Sequence, residues 1–421
     1  MRRRLLFVWV LLSGCGQGDR AATPARSEPS AAQQAAPSVP PNLAEPIRAA
    51  ERRLALAPDN PALLFELGFR RARAGDSVAA LALLERVVAQ RTGIDPEGYY
   101  DRLRGVPAYR ALLERIRRDF PPVSSGAVAF TIPERDLIPE GIAYDPTSGR
   151  FFVGSVQKRK IVVVAPGGAV SDFVPSGRDG LGWVIGTRVD SARRLLWAAC
   201  VFHIRSREGA DEARSALAAY DLGTARLASR ILLDSGDHLL NDLVVTRTGD
   251  IYVTDSQASE VYHLAPGGTR LERIVDSTRI FRPNGIALSP DESRLFVAAW
   301  PSIVVVDPRS GAVRPLRHAA SVVTGGIDGL YFHQGSLIGV QNDVHPGRVV
   351  RYRLTADLDS IEREDVLESY NPRFEQPTTG AIAGDGFYLL ANPQLAKQRD
   401  DGTTVPLDQL NPVVILRVPL R

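Results

Sequence analysis

Residues 139–168 read PEGIAYDPTSGRFFVGSVQKRKIVVVAPGG. A polar opening, Pro139-Glu140-Gly141, runs into apolar Ile142-Ala143; further strand-like runs follow at 151–154 and 160–165, the second apolar after Lys160, and Pro166-Gly167-Gly168 closes the stretch. Short runs rich in β-branched and aromatic residues, bounded by Gly, Pro and Asp, predict strands joined by tight turns.

The same order recurs along the chain. Comparable openings stand at Val184-Ile185-Gly186-Thr187, Asn241-Asp242-Leu243-Val244, Asn284-Gly285-Ile286-Ala287, Asp328-Gly329-Leu330-Tyr331 and Thr379-Gly380-Ala381-Ile382. Anchors at 140, 185, 241, 284, 328 and 379 lie 43 to 56 residues apart. Second strands are predicted at 195–199, 251–254, 295–299, 336–340 and 387–391, and third strands at 216–222, 260–264, 303–307, 348–354 and 413–418. Fourth strands are predicted at 172–174, 230–233, 273–275 and 365–367. Repeats of this length with four strands each predict a mainly β fold, a six-bladed β-propeller over 127–421. The sixth repeat runs out of chain after its third strand. Residues 127–132 can supply the missing outer strand and so remove an open edge.

In such a ring the residue opening each innermost strand points at the central channel. Polar groups there are costly unless paired, solvated or bound to a metal. The openings supply Glu140, Asn241, Asn284 and Asp328 from four blades. Two carboxylates and two amide oxygens make a hard, oxygen-rich donor set, suited to Ca²⁺ first, with Mg²⁺, Mn²⁺ or Zn²⁺ left open. Structural zinc would call for Cys and His ligands.

Residues 1–15, MRRRLLFVWVLLSGC, join a charged start to a short apolar run and small residues before Cys15. The run is too short for a permanent membrane helix. Leu12-Ser13-Gly14-Cys15 resembles the lipobox of bacterial lipoproteins. That resemblance implies a signal peptide over 1–14, lipid attachment at Cys15, and a place in the cell envelope, on the outer membrane facing the periplasm. With the lipidated cysteine, 15–42 forms a linker whose Ala-, Pro-, Ser- and Gln-rich composition predicts a flexible tether.

From 43 to 120 the pattern turns helical. Asp59-Asn60-Pro61 is a helix start, and Ala74-Gly75-Asp76 interrupts the period. Leu64, Leu67, Gly68, Ala80 and Leu84 resemble the packing positions of a tetratricopeptide repeat, with one clear unit over 59–92. Such a module could bind an envelope protein or serve only as a spacer. Pro121-Pro122 and Ser124-Ser125-Gly126 mark the boundary to the repeats.

The 51 basic and 48 acidic residues give a net charge of +3, and cleavage of the leader would remove Arg2, Arg3 and Arg4. A near-neutral chain offers no electrostatic case for nucleic acid, and the only membrane contact expected is the N-terminal lipid. Of the two cysteines, Cys15 and Cys200, the second sits in an apolar run and reads as a small buried hydrophobe.

Pro139-Glu140-Gly141, Leu240-Asn241-Asp242, Arg282-Pro283-Asn284-Gly285 and Ile327-Asp328-Gly329 resemble motifs of the regucalcin/gluconolactonase/luciferin-regenerating-enzyme family of six-bladed propellers, over roughly 127–420. The resemblance implies that Glu140, Asn284 and Asp328 ligate the metal, that Asn241 is a fourth ligand or substrate contact, and that Asp328 relays a proton. It implies a metal-dependent hydrolase acting on a lactone or ester. Trp183, Gln341 and Asn342 are expected to line the substrate pocket together with Trp300 and Asn392, and His203 and His238 to approach the channel mouth. Leu239 stands where the regucalcin branch has a sugar-binding arginine, which speaks against a gluconolactone-type substrate. The competing reading is a non-catalytic propeller lipoprotein acting as a binding or scaffold module in the envelope.

Overall fold

The computed structural model describes residues 40–205, 211–234, 236–399 and 402–421. The leader, Cys15 and nearly all of the tether lie outside the described residues. The chain divides into two compact units, with the division between Asp119 and Phe120.

The first unit holds four α-helices among the described residues: α1 (Pro41–Leu56), α2 (Pro61–Arg73), α3 (Ser77–Ala89) and α4 (Pro107–Asp119). The start and stop signals act as expected. Asn60 Oδ1 accepts from the backbone N–H of Ala62 and Leu63 at 3.0 and 3.1 Å, with Pro61 in the first turn where its missing N–H costs nothing. Asp76 caps α3 through the Ala79 N–H at 3.1 Å. A β-carbon on Gly68 would stand 2.7 Å from the Tyr100 hydroxyl, so glycine there lets α2 take the ring of Tyr100, whose hydroxyl donates to the Phe65 carbonyl. Among the described residues no helix is long and apolar enough to cross a membrane.

The second unit is a six-bladed β-propeller. Six sheets of antiparallel strands follow one another along the chain. Their first strands are Pro139–Asp145, Leu181–Asp190, Leu240–Val245, Ile286–Leu288, Ile327–His333 and Gly380–Ala383. All six contribute to the lining of one central tunnel of about 270 Å³, so each first strand is the innermost of its blade. Some third strands are unbroken apolar runs, such as Ile161–Val164 and Ile303–Val306. A strand covered on both faces by neighbouring blades calls for that pattern rather than alternation.

The core lies between blades. Phe152 and Phe173 of the first blade pack with Leu196, Cys200 and Phe202 of the second. Equivalent clusters join the second to the third, third to fourth, fourth to fifth and fifth to sixth. The last joins sixth to first through Ile132, Phe151, Leu390 and Ile415. Closure is the expected one: Ala127–Ile132 pairs with Val413–Pro419 as the outer strand of the sixth blade. Cys200 is fully buried, and burial pushes its thiol far above the usual range.

Three features differ from the sequence reading. The fourth blade has an outer strand, Val313–Pro315, whose three exposed or half-exposed residues carry no apolar run. Val123–Ser124, read as part of a boundary, adds a fifth strand to the fifth blade. There the Glu368 carboxylate accepts from the N–H of Ser125 and Gly126 at 2.8 and 2.7 Å. The second blade opens at Leu181 rather than near 185, because its first strand carries two register shifts.

Candidate metal centre

The site is built from a repeated irregularity. In the first blade Pro139 pairs with Ser155 and Ile142 with Val153, so Glu140 and Gly141 form a bulge. The third blade repeats it at Asn241-Asp242 and the fifth at Asp328-Gly329. The second blade places Gly182-Trp183 in the corresponding step. A bulge breaks the ladder and re-aims side chains; here it turns the opening residues of the first, second, third and fifth blades out of the sheet alternation, while Asn284 stands just before the unbulged first strand of the fourth, Ile286–Leu288.

Close blade-to-blade contact holds these openings in a ring. A β-carbon on Gly186 would lie 2.0 Å from the Asn241 carbonyl oxygen, and one on Gly285 2.4 Å from that of Asp328. The Gly285 N–H donates to the Asp328 carbonyl at 2.7 Å and the Gly329 N–H to Thr378 at 3.2 Å. Thr379 Oγ1 donates to the Glu140 carbonyl, tying the sixth blade to the first. Thr254 Oγ1 ties the third blade to the Asn284 carbonyl at 2.7 Å.

Three of the four expected ligands are brought together. Glu140 and Asp328 are 5% and 2% exposed. Glu140 Oε2, Asn284 Oδ1 and Asp328 Oδ1 are buried oxygens without a hydrogen-bond partner. Burial, then repulsion from Asp328 and Asp242, pushes the Glu140 carboxyl well above the usual range. Burial pushes Asp328 up to about 7, with hydrogen bonds from Asn342 and Asn284 working the other way. Two buried carboxyls that repel one another, each with one oxygen unpaired, are strongly disfavoured as anions unless a cation joins them.

The fourth residue, Asn241, is tied to the fourth-blade opening. Its Nδ2 donates to Ser256 Oγ at 2.9 Å, and Ser256 Oγ donates to the Pro283 carbonyl at 2.6 Å. With the nitrogen so engaged, the amide oxygen is the end left for a ligand.

The pocket residues divide. Asn342 Nδ2 donates to Asp328 Oδ2 at 2.6 Å. Trp183 is half-buried in the second-blade bulge. Gln341 lies inside the fifth blade: its Nε2 donates to the carbonyls of Val323 and Gly325 and its Oε1 accepts from Arg348 Nε, so neither end of the amide is left for a substrate. Asn392 is likewise spent on Pro412 and Val414. His238 Nδ1 is bonded to Asp255 Oδ2 at 2.7 Å, and the ring stands edge-on to Tyr262 within its own blade.

Two residues beneath the site were not singled out from the sequence. Asp242 is 4% exposed, and Arg188 reaches it from the second blade with Nη2 at 3.6 Å from Oδ1. Asp242 could have been flagged as a second acidic residue beside Asn241; Arg188 carries no motif.

Hard oxygen donors from several blades fit Ca²⁺, which takes carboxylate and amide oxygens in flexible numbers. Among the described residues no three His, Cys, Asp or Glu side chains form a metal-binding group by themselves, so the amide oxygens are an essential part of any such site.

No protein-family model matches the chain, and no match was found among curated proteins. Among solved structures, a gluconolactonase from Xanthomonas campestris is 19% identical, with 71% of this chain and 97% of that chain covered at a TM-score of 0.47. Regucalcin from Agrobacterium tumefaciens, described as a calcium-binding protein, is 18% identical, with 70% and 96% covered at 0.47. The PQQ-bound aldose sugar dehydrogenase of Streptomyces coelicolor is 16% identical, with 71% and 99% covered at 0.45. The likeness is one of fold, and fold does not choose among a lactonase, a calcium-binding protein and a dehydrogenase.

Proposed function

We propose that the chain is an envelope-anchored hydrolase of the lactonase or esterase type. It works with one divalent cation, Ca²⁺ by donor chemistry, held by Glu140, Asn284 and Asp328, with Asn241 as a further oxygen donor or substrate contact. The supporting observation is the set of three unpartnered buried oxygens on these residues, each from a different blade.

Bound there, the cation would polarise a substrate carbonyl and acidify water. The protein's own part centres on Asp328. Oδ1 would face the cation, while Oδ2, oriented by the Asn342 hydrogen bond, keeps a second lone pair to take a proton from the attacking water and return it to the departing alkoxide. The acyl carbon gains a bond to the water oxygen and loses the one to the leaving oxygen. Burial raises the proton affinity of Asp328, which offsets part of the lowering that a nearby cation imposes.

The test is turnover by the calcium-loaded mature protein across lactones, aryl esters and phosphotriesters. Hydrolysis that falls about 10²-fold or more in Asp328→Asn and Glu140→Gln supports the reading. Calcium binding without turnover on any member contradicts it and leaves a non-catalytic binding module. The envelope assignment rests on the leader sequence, and Cys15→Ala should move the protein from the membrane to the soluble fraction. A variant that stays with the membrane contradicts lipid anchoring.

A further inference from the structure

Asp242 occupies the bulge position that is glycine in the first and fifth blades, Gly141 and Gly329. Its carboxylate accepts from the backbone N–H of Leu243 at 2.8 Å and more weakly from Ile286 at 3.4 Å. It repels both Glu140 and Asp328. A third buried carboxylate beside two others adds repulsion and needs a counter-charge.

That charge comes from the tunnel side. Arg188 lies on the innermost strand of the second blade and is part of the tunnel lining. Its Nε donates to the Leu243 carbonyl at 3.0 Å, its Nη2 lies 3.6 Å from Asp242 Oδ1, and its guanidinium stands 5.4 Å over the Tyr331 ring. Backbone carbonyl, carboxylate and aromatic face together fix the group. An arginine keeps its charge under all ordinary conditions.

We propose that Arg188 is a fixed cation built into the axial channel, which sets the charge of the site so that a single divalent ion neutralises it. The inference rests on the metal reading above. With a cation bound, Glu140, Asp328 and Asp242 carry three negative charges; a further carboxylate that repels Asp328, that of Asp343, has its own counter-charge in Arg282. Arg188 cancels one, and the two left match one divalent ion. Without Arg188 the same cage matches a trivalent ion, and without the Asp242 charge it is over-neutralised by a divalent one.

The experiment titrates metal-stripped protein with Ca²⁺ and with Tb³⁺, following heat and terbium luminescence, with circular dichroism to verify folding. Wild type is expected to bind one Ca²⁺. Arg188→Met should raise the Tb³⁺ to Ca²⁺ affinity ratio by about tenfold or more, and Asp242→Asn should weaken Ca²⁺ by about tenfold, as a unit charge at short range in a partly desolvated site requires. The double variant should return to the wild-type ratio. Should Arg188→Met fail to fold, Asp242→Asn and the double variant still test the charge match. An unchanged ratio in Arg188→Met, or unchanged Ca²⁺ affinity in Asp242→Asn, overturns the inference while the metal reading stands. A wild-type chain that binds neither ion overturns both.

Discussion

Asn342 and Asp328, both buried, are joined by a 2.6 Å hydrogen bond from the amide Nδ2 to one carboxylate oxygen, while the other oxygen has no partner. The asymmetry gives the carboxylate one end for the protein and one for a ligand. Asn342→Ala removes the first. It should destabilise the metal-free protein by about 1–3 kcal/mol, the cost of leaving a buried acceptor unsatisfied. Calcium should raise the melting temperature more in this variant than in wild type, because a bound ion supplies that carboxylate with a partner. Paired thermal melts with and without calcium check both effects.

Gly186 tests the ring. Its added β-carbon would meet a backbone carbonyl, that of Asn241, not the end of a flexible side chain. Gly186→Ala must therefore push the second and third blades apart. A loss of about 1–3 kcal/mol is expected in chemical denaturation, together with weaker calcium binding, since Asn241 moves with its carbonyl.

A pH effect follows from Asp145, which is fully buried and held by both Nη atoms of Arg194 at 2.8 Å, joining the first blade to the second. Burial alone would raise this carboxyl; the hydrogen bonds from Arg194, Ser148 and Thr147 outweigh it and hold the group well below the usual range. A depressed folded-state value means the pair contributes stability above the unfolded value near 3.8, and the contribution fades as pH falls toward the folded value. Arg194→Met should be clearly less stable than wild type at pH 7, and the gap should narrow below pH ~4. Urea titrations at the two pH values measure it.

Closure of the ring is tested at Ile132, fully buried between the sixth and first blades. Ile132→Ala should cost about 2–5 kcal/mol. Val128, on the same closing strand but 42% exposed, should tolerate alanine to within about 0.5 kcal/mol. Equal losses in denaturant titrations of the two variants would contradict the closure account.

Much of the propeller is legible in the sequence, for local reasons. A strand sandwiched between blades must be apolar throughout, so runs such as 161–164 and 303–306 stand out from polar turns. The edge problem of an incomplete last blade points directly to 127–132. Glu140, Asn284 and Asp328 are visible because a polar residue opening an otherwise apolar strand needs a reason. What stays hidden depends on contacts far apart in sequence. Arg188 meets Asp242 across two blades, with no pattern in either segment to announce it. Gln341 reads as a pocket residue, yet Arg348 and the carbonyls of Val323 and Gly325 claim it. Val313–Pro315 is too short and too polar to be seen as a strand. The second-blade opening is displaced because two register shifts hide its true start at Leu181.

The central claim is a single hard cation on the propeller axis, and a crystal of the calcium-loaded protein tests it most directly. The account predicts one anomalous peak about 2.3–2.6 Å from Glu140 Oε2, Asn284 Oδ1 and Asp328 Oδ1, the span typical of calcium–oxygen bonds. Refined density showing water or nothing between these three oxygens, with calcium bound elsewhere or not at all, would contradict it.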